Sequence, residues 1–338
     1  MNSFGTLFRV TLCGESHGPG ILVCIEGIPA GLHFEQIDFN TPLARRRKAP
    51  LGTTPRQEND TFEVLTGVYK GHCTGAPLTL FVPNRDVKSE NYTPFHTTPR
   101  PGHVDWIGAK KYAGYADMRG SGIFSGRLTV GLVLAGTLAA ACLAPLGIRA
   151  QAHVTEIGGR TEGFDQVIAD AIQAGDSLGG VVSCTIDGVP VGWGAPFFDS
   201  VESLLSHGLF SIPGVRGVAF GNGWDGARMR GSLFNDTLAE GIEGINGKTT
   251  TNHAGGIVGG LSNGNPLEFQ VAFRPPASIQ KKQETIDLRT GERVSLEIEG
   301  RHDVCFVQRC PVIVESVALI VLYDLCLRSK TSLPNSDK

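Results

Sequence analysis

Short apolar blocks separated by glycine and polar clusters predict strands over 4–10, 21–25, 62–69 and 77–82. Further strands are predicted over 148–157, 180–187, 215–220 and 267–273. Helical spacing is read over 38–47, with Asn40 or Thr41 as the cap and Pro42 at an early position. It recurs over 106–113, 161–174 and 198–207. Two longer runs, 126–144 and about 312–327, are largely apolar. A helix that is apolar all round belongs in a large core or in a bilayer. Residues 128–148 carry no charge and are just long enough to span. Their small residues, with Pro145 and Gly147, favour a buried helix of a large soluble core. Residues 83–107 have little periodicity, and 221–265 is a second loop-rich region. Long unpatterned loops inside compact domains are usually functional. The order of elements predicts an α+β or layered β-α-β fold, without the regular short βα spacing of a dinucleotide-binding sheet.

Composition narrows the function. Glycine makes up 45 of 338 residues with no triplet period, which excludes collagen and points to tight turns and close backbone approaches. A net charge of -3 argues against a dedicated nucleic-acid binder, and the basic region lacks interleaved stacking aromatics. The average hides an asymmetry. From Arg45 to Arg127 there are 13 Lys/Arg against 7 Asp/Glu, leaving 17 against 26 elsewhere. A basic middle of this kind focuses a small anion, although a solvated surface fits the charge count equally well. Eight cysteines without a C-x-x-C fit a reducing compartment better than a disulfide scaffold or a zinc site. No signal peptide is read at the start, because Arg9 and Glu15 interrupt it.

Several segments carry candidate chemistry, each with a plain structural alternative. Gly14-Glu15-Ser16-His17-Gly18 places an oriented, reachable histidine in a glycine-bounded loop, and imidazole suits proton transfer near neutral pH. Arg45-Arg46-Arg47-Lys48 offers guanidinium forks for carboxylate or phosphate, or simply a basic helix end. Arg100-Pro101-Gly102-His103-Val104-Asp105 holds a second histidine, with Arg100 and Asp105 placed to set its protonation. Asp117 to Gly122 has side-chain-poor backbone N–H groups, followed by Ser125 and Arg127 at a helix start, a place suited to an anion. Residues 252–264 form a second glycine-dense surface, and Arg301-His302-Asp303 precedes the last helix. There is no nucleophile elbow, no H-E-x-x-H and no Walker A. Proton-assisted loss of phosphate from a polyanionic small molecule fits this inventory best.

These segments closely resemble chorismate synthase. The resemblance rests on GESHGPGILVCIEGIP at 14–29, RRR at 45–47, RPGHVD at 100–105 and KKYAGYADMRGSG at 110–122, with TNHAGGIVGGLSNG at 251–264 and RHDVC at 301–305. It implies a layered β-α-β sandwich forming one domain over 1–338, with active-site loops near 45–60, 83–125, 221–265 and 298–310. It also implies a cytoplasmic homotetramer and the last step of the shikimate pathway. In that step 5-enolpyruvylshikimate 3-phosphate becomes chorismate and phosphate by 1,4-trans elimination. The step requires reduced FMN, FMN and NADP are the implied nucleotides, and an external system reduces the flavin. No metal, nucleic acid or membrane is implied.

By position, His17 is similar to the histidine that protonates the leaving phosphate, and His103 to the one that protonates reduced FMN. Asp303 resembles the carboxylate near flavin N5 that assists proton abstraction. Arg46, Arg47 and Arg127 match the anion-binding wall, while Ser125, Gly259, Arg274, Ser278 and Arg301 match flavin-binding stretches. The chain departs from the family run at Ile123 and Phe124, where the usual residues are arginine and serine, and at Gly52 and 274–278. These departures keep open a weakened relative that binds ligand without efficient turnover. A flavin reductase is a further alternative, without a dinucleotide fingerprint to support it.

Overall fold

The computed structural model describes residues 2–48, 50–54, 59–85, 90–298 and 302–332. Arg301 and parts of the loops near 45–60, 83–125 and 298–310 therefore lie outside the described residues. One antiparallel sheet holds β1 (Ser3–Phe4), β2 (Arg9–Gly14), β3 (Gly20–Glu26), β4 (Glu63–Thr66) and β5 (Leu78–Pro83) in the order β1-β2-β3-β5-β4. A second contains β6 (Arg149–Ile157), β7 (Gly180–Asp187), β8 (Val215–Phe220) and β9 (Leu267–Phe273) in the order β8-β9-β7-β6, again antiparallel. The helices are α1 (Asn40–Arg47), α2 (Asp105–Lys111), α3 (Thr129–Leu143), α4 (Phe164–Gln173), α5 (Val201–Phe210) and α6 (Pro311–Ser332), with shorter turns between them.

Strand alternation directs one face of each sheet inward. Leu78, Leu80 and Val82 of β5, and Val182, Cys184 and Ile186 of β7, are all buried. Helices fill the space between: α3 packs on β3, α6 packs on β6 and β7, and α5 packs between α6 and β8. The result is the layered β-α-β arrangement read from the sequence. The long apolar helix is a core element, since Val130, Val133, Leu134, Ala135, Leu138 and Ala139 are fully buried. Each buried Leu or Val side chain stabilises by ~1.5–3 kcal/mol.

Three departures from the sequence reading have physical causes. The strand expected over 4–10 is broken after Phe4, because Asp324 on α6 accepts the N–H groups of Thr6, Leu7 and Phe8 at 3.0, 2.7 and 2.9 Å. Helix α1 begins at Asn40, two residues later than expected, and in place of Asn40 or Thr41 it is the Asp38 carboxylate that accepts from the first N–H groups, those of Asn40 and Thr41. Helix α5 begins three residues later than expected because the Ser200 hydroxyl caps it, accepting from the Ser203 N–H at 3.1 Å.

Candidate active site

One loop, 119–124, brings the two candidate histidines together. Gly120, Ser121 and Gly122 all have positive φ, at 57, 71 and 53°. That costs glycine little, but Ser121 is a non-glycine residue held in the left-handed region. Gly120 lies against His17: an added Cβ would sit 2.4 Å from Cδ2 and 2.5 Å from Nε2 of the imidazole. Gly122 presses on the Asp117 carbonyl in the same way, and its own carbonyl accepts from the Ser16 N–H at 3.1 Å. These glycines thus serve close packing. Ser121 Oγ lies 3.1 Å from His103 Nε2. His17 and His103 therefore flank two consecutive residues.

His17 is buried and meets the Tyr92 ring edge-on at 5.1 Å. Beside it the Ser16 hydroxyl is buried with no hydrogen-bond partner among the described residues. A buried polar group of this kind calls for a ligand or water.

His103 is set by its neighbours as the sequence suggested. Its Nδ1 lies 2.7 Å from Asp105 Oδ1, and Arg100 Nη2 lies 2.7 Å from the same oxygen and 3.0 Å from Nδ1. The carboxylate is the strongest acceptor present, so it takes both protons and leaves the Nε2 lone pair to accept from Ser121. Burial lowers the His103 pKa; Asp105 opposes this, and Arg100 and Arg274 add to it. Burial alone would raise the Asp105 carboxyl, but the hydrogen bonds from Arg100 and His103 hold it far below the usual carboxylate range. Arg100 also reaches Ser278 Oγ at 3.0 Å and stacks over Phe95 at 4.4 Å. Ser278 and Arg274 thereby join the His103 neighbourhood. Burial and the charge of Arg216 both lower the Arg274 pKa, and no carboxylate among the described residues pairs with either arginine. Two adjacent cations without a counterion fit a phosphate.

The second cluster is the arginine wall. Arg46 leaves the last turn of α1 and Arg127 precedes α3, and both donate to the carboxylate of Asp60, whose side chain is fully buried. Arg46 Nη1 reaches Oδ2 at 2.7 Å, and Arg127 Nη1 reaches Oδ1. Arg47 instead donates to the Asn59 carbonyl at 2.6 Å. Ser125 Oγ accepts from the Arg127 N–H at 3.2 Å and so caps the turn that leads into α3. Asn84 joins the two clusters: its Oδ1 accepts from Arg127 Nε at 3.0 Å, and its Nδ2 donates to the Glu15 and Gly18 carbonyls of the His17 loop, both at 3.0 Å.

Asp303 and Gly259 are held by other segments. Asp303 Oδ1 accepts from the Thr54 N–H at 2.7 Å, and Arg309 Nη1 lies 3.7 Å away. Arg309 also holds the Lys48 and Thr54 carbonyls, tying Asp303 to the segment after α1. Among the described residues no contact joins Asp303 to His17 or His103. Gly259 turns a small hairpin between Ile257–Val258 and Leu261–Ser262. Its neighbour Gly260 packs on Ser200 and Ala195. Arg301 lies outside the described residues.

The departure at Phe124 has a structural reason. Its ring lies near Tyr112 at 6.3 Å and against Gly108, so it pins the loop to α2 where the family usually has a serine. Nothing in the structure explains Ile123. Sequence reasoning missed Asp60 and Asn84. The signal for Asp60 was indirect: a basic middle with this excess charge needs a buried counterion somewhere.

Comparison with known proteins agrees across the chain. A family model described as chorismate synthase matches residues 8–327. A chorismate synthase of Chitinophaga pinensis is 47% identical over 332 residues, covering 98% of each chain. One from Aeropyrum pernix is 40% identical over 363 residues, covering 98% of this chain and 94% of that one. A crystal structure titled as that of a chorismate synthase superposes with a TM-score of 0.74 at 25% identity, covering 96% of this chain and 93% of that chain.

Proposed function

The chain belongs to the chorismate synthase family of chorismate-forming lyases, and from that membership we propose how its residues divide the reaction. The substrate is 5-enolpyruvylshikimate 3-phosphate, and the reaction is a 1,4-trans elimination that yields chorismate and phosphate. Reduced FMN, when bound, supplies electron density that assists loss of the phosphate. The residues present fit such a cofactor. Arg274 beside Arg216 offers a place for its phosphate, and Ser125, Ser278, Gly259 and Arg301 are the further candidates to hold it. The Ser16 hydroxyl, buried without a partner, is the polar atom that most needs a ligand.

His17 gives its proton to the leaving phosphate, where the charge of Arg46, Arg47 and Arg127 favours the anion. In its acid form His103 gains a second proton at Nε2, the nitrogen turned away from Asp105, in place of the lone pair that accepts from Ser121. Asp105 stabilises the imidazolium, while burial keeps that proton easy to release. Asp303 accepts the proton removed from the substrate carbon. Exclusion of water by the surrounding loops strengthens each of these contacts.

The observation that carries this reading is the pair of histidines on either side of Gly120-Ser121. Around it we place the chain as one domain over 1–338, in the cytoplasm, served by an external flavin-reducing system with NADP. A homotetramer is supported by large apolar side chains left exposed on one chain: Phe197, Phe198, Trp224, Ile242 and Ile245. The test is an anaerobic reaction with photoreduced FMN and the substrate. Chorismate and phosphate appearing in equal amounts support the reading. Substrate remaining unchanged with folded protein and reduced flavin both present overturns it.

A further inference from the structure

The Arg46–Asp60–Arg127 trio holds more charge bookkeeping than an anion-binding wall requires. A wall that only attracted anions would leave its guanidiniums unneutralised. Here a carboxylate with no exposed side-chain surface stands between them and takes one bond from each. Asp60 reaches that place with φ at 47°, a left-handed conformation costly for a non-glycine residue. The other acceptors around Arg46 are neutral: Thr129 Oγ1 at 3.2 Å and the carbonyls of Gly126 and Arg127 at 3.4 and 3.3 Å. They satisfy donors without cancelling charge. Asp60 thus accepts from both arginines and offsets part of their charge, the three groups together summing to about +1. Arg46 keeps 13% of its side chain exposed against 4% for Arg127, so an anion approaches from the Arg46 side.

We propose that Asp60 is a positioning residue that fixes the two guanidiniums side by side and limits their attraction for phosphate, so that the phosphate released by the reaction can leave. This rests on the reading that the arginine wall faces the leaving phosphate. The reason is general: affinity that is equal for the bound group before and after reaction does not speed turnover, and it slows release of the product.

Charge counting gives an ordering that a purely structural role does not. The trio is +1 in the unaltered protein, +2 in Asp60→Asn, 0 in Arg46→Gln, and +1 again in the double variant. The probe is inorganic phosphate, titrated calorimetrically into the protein without flavin, with circular dichroism confirming that each variant is folded. Asp60→Asn is expected to bind phosphate about tenfold tighter, and Arg46→Gln about tenfold weaker. The double variant is expected to return to within a few-fold of the unaltered protein. If Asp60→Asn does not fold, the comparison of Arg46→Gln with the double variant decides alone, because adding Asp60→Asn must raise affinity. Affinity that falls with each substitution and is lowest in the double variant overturns the proposal, as does an unaltered protein that binds no phosphate. None of these outcomes depends on turnover, so failure here is distinct from failure of the anaerobic assay.

Discussion

Asp105 accepts from two partners, so replacing it changes both stability and titration. Asp105→Asn leaves the buried Arg100 without its counterion, and breaking a buried pair from one side costs about 3–5 kcal/mol. The carboxylate also raises the pKa of His103, against burial and Arg100. Its removal should therefore move the His103-dependent limb of the turnover profile to lower pH, and an unmoved limb would contradict the assignment. The stability linkage has a definite sign. The folded Asp105 carboxyl lies below its ordinary value, so its contribution is complete above about pH 4 and is lost as the pH falls toward the folded value. In denaturation midpoints measured across this range, Asp105→Asn should lack that acid-dependent loss. His103→Ala should slow turnover more than it weakens substrate binding; an unchanged turnover rate with only a raised dissociation constant would rule out the acid role. At this scale the sequence showed Arg100, His103 and Asp105 as a unit because they are five residues apart. Asp60 and Asn84 were not legible, since their partners lie 14 to 69 positions away and no local pattern records such a contact.

Helices α3 and α6 cross where Gly136 meets Ser316. A Cβ at Gly136 would stand 2.3 Å from Ser316 Cβ and 2.4 Å from its Cα. Gly→Ala in a helix interior ordinarily stabilises by about 1 kcal/mol. Here the added methyl must separate two core helices, so Gly136→Ala should destabilise by about 1–3 kcal/mol in chemical denaturation. A neutral or stabilising result would mean that the helices do not meet as described. Most elements were legible from apolar period, including β7, β8 and β9, which begin and end at the predicted residues. The exceptions have causes that period does not carry. The N-terminal strand is divided by a carboxylate 316 to 318 residues away. The ribbon formed by Gln283–Ile286 and Arg293–Leu296 is mostly polar and surface-lying, so it has no hydrophobic stripe to announce it.

The whole molecule is closed by its two ends. Asp324 near the end of α6 gathers three backbone N–H groups that would otherwise lack partners in the β1–β2 connection. Asp324→Ala should lower stability by about 1–3 kcal/mol, read from a denaturation curve, because the buried Phe8 N–H loses its acceptor while those of Thr6 and Leu7 are only part-buried. The exposed aromatic and aliphatic side chains at 197, 198, 224, 242 and 245 fit an association surface; the proposed homotetramer predicts four copies in sedimentation at micromolar concentration, and a stable monomer would contradict it. The basic middle seen in the sequence does become the arginine wall and the His103 cluster, but the sequence did not show how much of its charge is paired internally.

The central claim is that segments remote in the chain, around His17, His103 and Asp303, act on one bound substrate and flavin. A crystal structure of the protein with 5-enolpyruvylshikimate 3-phosphate and FMN tests it most directly. The account predicts His17 at the phosphate ester and His103 Nε2 within ~3 Å of the flavin, with the Asp303 carboxylate facing the same ring system. Ligands bound elsewhere, or Asp303 still engaged only with Thr54 and Arg309 while the two histidines face different cavities, would contradict it.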